Sequence, residues 1–422
     1  MRSGFCLSVA ALLLVSLTMS ACSHPSNKIS TTWNQEAAAA YLDRRETWWM
    51  GWSASARDHD TFCVSCHTAL PYALARPALR SAMNQKEISG IENALIKNVI
   101  TRTRLWNETA PYYSDAEYGD RAAQSRGTEA VLNALILANY DAGSGELSSE
   151  TRTAFGNMWA LQRKAGKQKG SWDWLQFNQE PWEAEDSVYY GACLAAIAVA
   201  AAPANYASTP GIQDNRAMLR DYLRRESTSQ STLNRIFLLW ASTRVPGLLN
   251  SQEQQSIVNE VLSRQRFDGG WRLASIAWSW RNWTPKSLLN MWVREDGTPL
   301  AGKSDGLATA LATLVLQEAG VPRDNIQIQR GLSWLMNNQA SEGSWPALSV
   351  NKRRHISPET ARFMSDAATA FAVLSLTENQ NAKHVAKRPV IRFRIYDDDF
   401  YRGTSGSYLE ESATAILDPG KR

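Results

Sequence analysis

A chain of 422 residues that is 44% hydrophobic and 20% charged is globular and long enough to bury a core in one large or two ordinary domains. Its formal charge of +4 is small for that length, and no Lys/Arg block is interleaved with aromatics, which sets nucleic acid aside as a partner. Seventeen tryptophans, clustered at Trp48-Trp49, at Trp172 and Trp174, and at Trp278, Trp280 and Trp283, are enough to line a large aromatic cavity.

Residues 1–21 read as an export signal: Arg2, an apolar run from Val9 to Leu17, then Ser20-Ala21 before Cys22. The run is short for a membrane span. The small residues before Cys22 resemble the bacterial lipoprotein box, in which that cysteine is lipidated and becomes the mature N-terminus. Ordinary cleavage and an uncleaved anchor are the alternatives. All three put the body outside the cytoplasm, periplasmic or on the outer surface, where oxidised cysteines persist and c-type haem is attached. A lipid at Cys22 would make the membrane a partner, with residues 22–33 as a linker.

The next feature is Thr61 to Thr68, TFCVSCHT. C-x-x-C-H is the c-type haem attachment motif, in which the thiols of Cys63 and Cys66 add to the haem vinyl groups and His67 is the proximal iron ligand. Two rivals remain open. His59, Cys63, Cys66 and His67 are four potential ligands of a closed zinc site. Alternatively, Cys63 and Cys66 form a disulfide with His67 capping or packing beside it. Cys193, in an Ala-rich apolar run, reads as an inert core thiol.

From residue 34 to about 380 the chain repeats itself with a period of roughly sixty residues. Six amphipathic segments, QEAAAAYLDRRE, ISGIENALIKNVITRTR, SSETRTAFGNMWALQRK, DNRAMLRDYLRRE, SQEQQSIVNEVLSRQR and NIQIQRGLSWLMNNQ, read as helices packed on one side only. They alternate with six apolar runs that open at Cys66, Arg126, Asp186, near Ser229, at Asp305 and at Asp366, and these read as buried helices. The pattern predicts an all-α fold, an α6/α6 toroid or double ring of helices; an open solenoid or two unrelated helical domains are the alternatives. Residues 381–422 are expected to be a surface tail, whose Asp397-Asp398-Asp399 run reads as solvated charge.

Three linkers share a signature: Gln162 before Gly170-Ser171-Trp172, Gln265 before Gly269-Gly270-Trp271, and Gln339 before Gly343-Ser344-Trp345. On these residues the chain resembles the terpenoid cyclase and protein prenyltransferase superfamily, squalene-hopene cyclase-like proteins among them. The resemblance implies the toroidal fold and says little about the reaction. Glu183-Ala184-Glu185-Asp186-Ser187 looks like the acid motif of the protonating cyclases, with Glu183 and Glu185 in the first and third places and Asp186 matching. It implies an acid–base catalyst for a terpenoid or other small apolar molecule, with Trp172, Trp174, Trp182, Trp278, Trp280 and Trp283 as cation-stabilising walls. Asp305 and Asp366, at the same repeat position, read as helix caps.

Ser65-Cys66 aligns with Ser365-Asp366, so in a closed ring a distal haem ligand would come from His355 or Met364 of the sixth repeat, or locally from Met50, His59 or Met83. Lys352, Arg353 and Arg354 read as a solvated face, with pairing of haem propionates as the alternative. The leading expectation is a haem protein for redox chemistry or electron transfer with a partner protein. A cyclase-like enzyme and a non-catalytic lipid- or glycan-binding lipoprotein are the others.

Overall fold

The computed structural model describes residues 32–278, 289–300, 302–353 and 358–381. The export signal, Cys22, Trp280, Trp283, Arg354, His355 and the tail with its Asp397 to Asp399 run lie outside the described residues. Among the described residues the protein forms thirteen α-helices and one two-stranded hairpin, so it is all-α. None of these helices is long and apolar enough to cross a membrane.

The charged segments form α1 (Gln35–Gly51), α3 (Gly90–Arg104), α6 (Ser149–Ala160), α8 (Gln213–Glu226), α10 (Ser251–Ser263) and α12 (Ile326–Asn337). The apolar segments form α2 (Ala69–Ala82), α5 (Ala122–Ala142), α7 (Ser187–Ala201), α9 (Thr232–Arg244), α11 (Gly306–Glu318) and α13 (Phe363–Asn381), with a single turn, α4 (Asp115–Tyr118), before α5. Starts are set by polar caps: Ser89 and Glu92 exchange side chain and backbone bonds at α3, as Asn250 and Glu253 do at α10. Burial separates the two sets. Every residue of α7 from Ser187 to Val199 is buried, whereas α8 buries only Leu219, Tyr222 and Leu223.

The buried helices touch one another in chain order: α2 packs on α5, α5 on α7, α7 on α9, α9 on α11 and α11 on α13, and α13 packs on α2. The charged helices lie against the buried helix that precedes them, α6 on α5, α8 on α7, α10 on α9 and α12 on α11. α1 follows the same rule with α13 in the preceding place, besides touching α2.

The three glutamine–glycine–tryptophan linkers make the same bonds. Gln162 Nε2 donates to Gly170 O (3.1 Å) and to Asn215 O (2.9 Å) in the first turn of α8. Gln265 Nε2 donates to Gly269 O (2.8 Å) and Gln327 O (2.7 Å), and Gln339 Nε2 to Gly343 O (3.1 Å) and Asn34 O (2.9 Å). Each linker thereby ties its own turn to the start of the next charged helix, and for the third that helix is α1. The glycines have φ of +98°, +91° and +99°, and a β-carbon would lie 2.1 Å from Met218 O, 2.8 Å from Arg330 O or 2.0 Å from Ala37 O. The indoles of Trp172, Trp271 and Trp345 are buried, each donating to a carbonyl of the charged helix before it. Trp172 and Trp174 are therefore core residues rather than cavity walls; the Trp174 indole donates to Trp182 O at 2.8 Å.

Candidate functional site

The segment before α2 is fixed from both sides. A short hairpin, β1 (Ala56–Arg57) with β2 (Thr61–Phe62), leads into Cys63. The Asn98 side chain pairs with both backbone groups of Phe62, and the Trp49 indole donates to Cys63 O at 2.7 Å. Ser65 Oγ accepts from the backbone N–H groups of Thr68 (3.1 Å) and Ala69 (3.0 Å), so the serine inside the CxxCH motif starts the helix. Cys63 and Cys66 are buried and unbridged. Burial pushes the Cys63 thiol up to about 12 and raises Cys66 as well, with the Glu183 charge adding to the latter. Both are protonated and unreactive as packed.

His67 is half-buried and oriented by a chain of bonds into the sixth repeat. Its ring stacks on Phe363 (centroids 3.8 Å apart, 23° between planes) and meets the edge of Trp49 at 5.0 Å. Nδ1 lies 2.8 Å from Thr68 Oγ1, and that hydroxyl donates to Asp366 Oδ2 at 2.8 Å. A hydroxyl that donates to a carboxylate has its lone pairs left for His67 Nδ1–H, which assigns the remaining lone pair of the imidazole to Nε2. Asp366 also accepts from Arg45 Nε (2.7 Å), Arg45 Nη2 (3.0 Å) and Tyr41 OH (2.9 Å). Burial raises its pKa, and these donors work against the shift. The expectation of a cap fails here: Asp366 lies inside the first turn of α13 and ion-pairs with α1. At Asp305 the expectation holds, with Oδ1 accepting from Ala308 N at 2.9 Å at the start of α11.

The CxxCH segment and the acidic segment, which the sequence offers as two separate sites, meet at one place. A cavity of about 40 Å³ is lined by His67, Glu180, Trp182, Glu183, Phe363 and Met364, among others. The loop that carries the acids is pinned across the fold: Asn351 Oδ1 accepts from Glu180 N (2.9 Å) and its Nδ2 donates to Glu180 O (2.7 Å). Glu183 lines the cavity, Glu185 is exposed, and Asp186 sits at the start of α7 with Asn234 Nδ2 donating to its Oδ2 at 3.0 Å. Burial raises Asp186 to about 6 against a bond from Ser231, and burial followed by the Asp186 charge raises Glu180 well above the carboxylate range. The acids that line this cavity are thus Glu180 and Glu183, with the Asp186 charge acting on Glu180 and Glu185 exposed.

Of the other expected ligands, Met364 is buried and faces the same cavity as His67. His59 is exposed on the hairpin turn at φ +55°, away from the buried thiols. Among the described residues no group of three or more His, Cys, Asp or Glu side chains is arranged to hold a metal ion, so the four proposed zinc ligands do not come together. Met50 and Met83 pack against the core without lining this cavity, Lys352 and Arg353 are exposed, and Cys193 is a fully buried core thiol.

Sequence reading missed Glu180, Asn351, Phe363 and the Arg45–Asp366 pair. Only the alignment of Ser65-Cys66 with Ser365-Asp366 pointed across to the sixth repeat. The donor chemistry fits a c-type haem: two unbridged thiols, an imidazole oriented through Nδ1 by Thr68, and a thioether on the same cavity. The cavity as packed has room for a water and not for a macrocycle. No protein-family model matches the chain, and no curated protein matches it.

Proposed function

We propose that the protein is an exported, lipid-anchored α6/α6 toroid that carries a covalent haem on Cys63, Cys66 and His67 and serves electron transfer with a partner protein. The ring reading rests on the contact order of the buried helices, which returns from α13 to α2, and on the Gln339 linker that reaches α1. The resemblance to the terpenoid cyclase and prenyltransferase superfamily rests on the three linkers in register with the helical repeats and on the acidic segment from Glu183 to Ser187. The observation that carries the haem reading is the bond chain from His67 Nδ1 through Thr68 to Asp366 and Arg45. Metal-ligating histidines are held in this way by an outer partner that fixes the tautomer and raises the basicity of the other nitrogen.

In this reading Cys63, Cys66, His67 and Met364 would hold the haem, which would supply one-electron chemistry. The protein's part is to hold the imidazole, with Trp48, Trp49, Trp52 and Phe363 packed ring on ring beside it at 5.0 to 6.3 Å. Expressed with its export signal and a c-type maturation system, the protein should show a Soret band that survives denaturation and disappears in the Cys63→Ser, Cys66→Ser double variant. Thr68→Val should keep the covalent haem and raise its reduction potential, because a less basic imidazole favours the ferric state less. A potential unchanged by Thr68→Val would remove the observation on which the reading stands.

A second reading is favoured by Glu180, a cavity-lining carboxyl that burial and the Asp186 charge push well above the carboxylate range. It makes the site an acid–base catalyst for a small apolar molecule, with Glu183 and Asp186 in the roles the resemblance implies. Turnover lost in Glu180→Gln and kept in the double cysteine variant would select this reading over the first.

A further inference from the structure

Away from the CxxCH segment, a cavity of about 360 Å³ lies between the C-terminal half of α7, the face of α8 and the turn after α9. Its size falls in the range of small-molecule pockets, about 300 to 1,000 Å³. The floor is aliphatic: Val199, Leu219, Leu223 and Leu248 are buried around it.

The rim is cationic. Arg216, Arg220 and Arg244 all line the cavity. Arg244 is engaged with Glu318 at 2.6 Å. Arg216 and Arg220 have no carboxylate partner among the described residues and are held by neutral oxygens: Arg216 by Ala207 O and Gln213 Oε1 (2.9 Å), Arg220 by Pro246 O (3.2 Å). Burial and the Arg220 charge both lower the pKa of Arg216, so the pair repels as it stands. Asp221, the one acid on the lining, is exposed and in no ion pair among the described residues.

Two guanidiniums fixed over an aliphatic pocket complement one kind of molecule. We propose that this cavity binds an anionic amphiphile, with its carboxylate on Arg216 and Arg220 and its apolar chain on the floor between α7, α8 and α9. The site is independent of the CxxCH segment: its residues belong to the third and fourth repeats, and nothing in the proposal needs a haem.

The test uses the full-length protein and two probes of matched chain, decanoate and decanol, with binding followed by calorimetry. Decanoate is expected to bind at least tenfold more tightly than decanol. The Arg216→Gln, Arg220→Gln double variant should lose that preference while retaining weak binding of both. Ala200→Trp, which places an indole in the cavity, should abolish binding of both at unchanged helical content. Equal affinities for the acid and the alcohol would overturn the proposal, as would decanoate binding that survives Ala200→Trp, since the anion would then sit elsewhere. Decyl phosphate in place of decanoate distinguishes a phospholipid-type headgroup from a carboxylate: tighter binding of the phosphate would overturn the carboxylate assignment.

Discussion

Between Arg45, which pairs with Asp366, and Thr47, which bonds to its own helix, Glu46 is wholly buried and neither of its carboxyl oxygens has a hydrogen-bond partner among the described residues. Burial, followed by the Asp366 charge, raises its pKa from 4.5 to about 8, so it is protonated at neutral pH. An acid whose folded pKa lies above its unfolded value takes up a proton on folding, so its stability contribution is most favourable below the unfolded pKa and declines as pH rises through the folded one. Asp186 and Asp305, both raised to about 6, act in the same direction. Urea melts should therefore show stability falling from pH 5 to pH 9. Glu46→Gln, which mimics the neutral acid, should match the parent at pH 5 and exceed it at pH 9, by on the order of several kcal/mol; parallel pH profiles would show that Glu46 is not the group responsible. Arg45→Met should cost about 3–5 kcal/mol, because it strands Asp366 as a buried charge. None of this was legible locally: Arg45 and Asp366 are 321 positions apart in the chain.

The helices themselves were legible, because each apolar run and each charged run is long enough for its period to outweigh local propensity. The linkers were legible as a repeated motif, but what the glycine does in each came from packing. Gly145 and Gly343 both have positive φ, yet a β-carbon at Gly145 meets nothing within 4 Å, whereas one at Gly343 lies 2.0 Å from Ala37 O on α1. Gly145→Ala is expected to cost about 1–2 kcal/mol, the left-handed backbone penalty alone. Gly343→Ala should cost several times that, since it must also push α1 off its seat; equal losses in a thermal melt would mean that the linker does not need that close approach. The acidic segment was legible as a cluster and not as a geometry. The spacing of Glu183, Glu185 and Asp186 suggested three convergent acids, but the turn into α7 exposes Glu185 and the Asn351 clamp fixes Glu180 beside the cavity instead.

Across the whole molecule, the Gln339 side chain joins positions 305 residues apart: it donates to Asn34 O at 2.9 Å and accepts from Asn34 N at 2.8 Å. If these bonds help to close a ring, Gln339→Ala should increase hydrogen exchange at the start of α1 and in residues 339–345 together. Gln265→Ala should affect residues 265–271 and the start of α12, leaving α1 protected; exchange confined to residues 339–345 in the first variant would indicate an open array. The packing of α13 on α2 brings His67 and Thr68 of the first repeat to Asp366 and Met364 of the sixth, where the haem reading finds the outer partner of His67 and the thioether that would hold the haem with it. That reading is tested most directly by the intact mass of the mature, exported protein made with a c-type maturation system. The account predicts one haem added per chain, retained under denaturing conditions and absent from the Cys63→Ser, Cys66→Ser variant. A wild-type mass equal to that of the processed polypeptide without haem would contradict it.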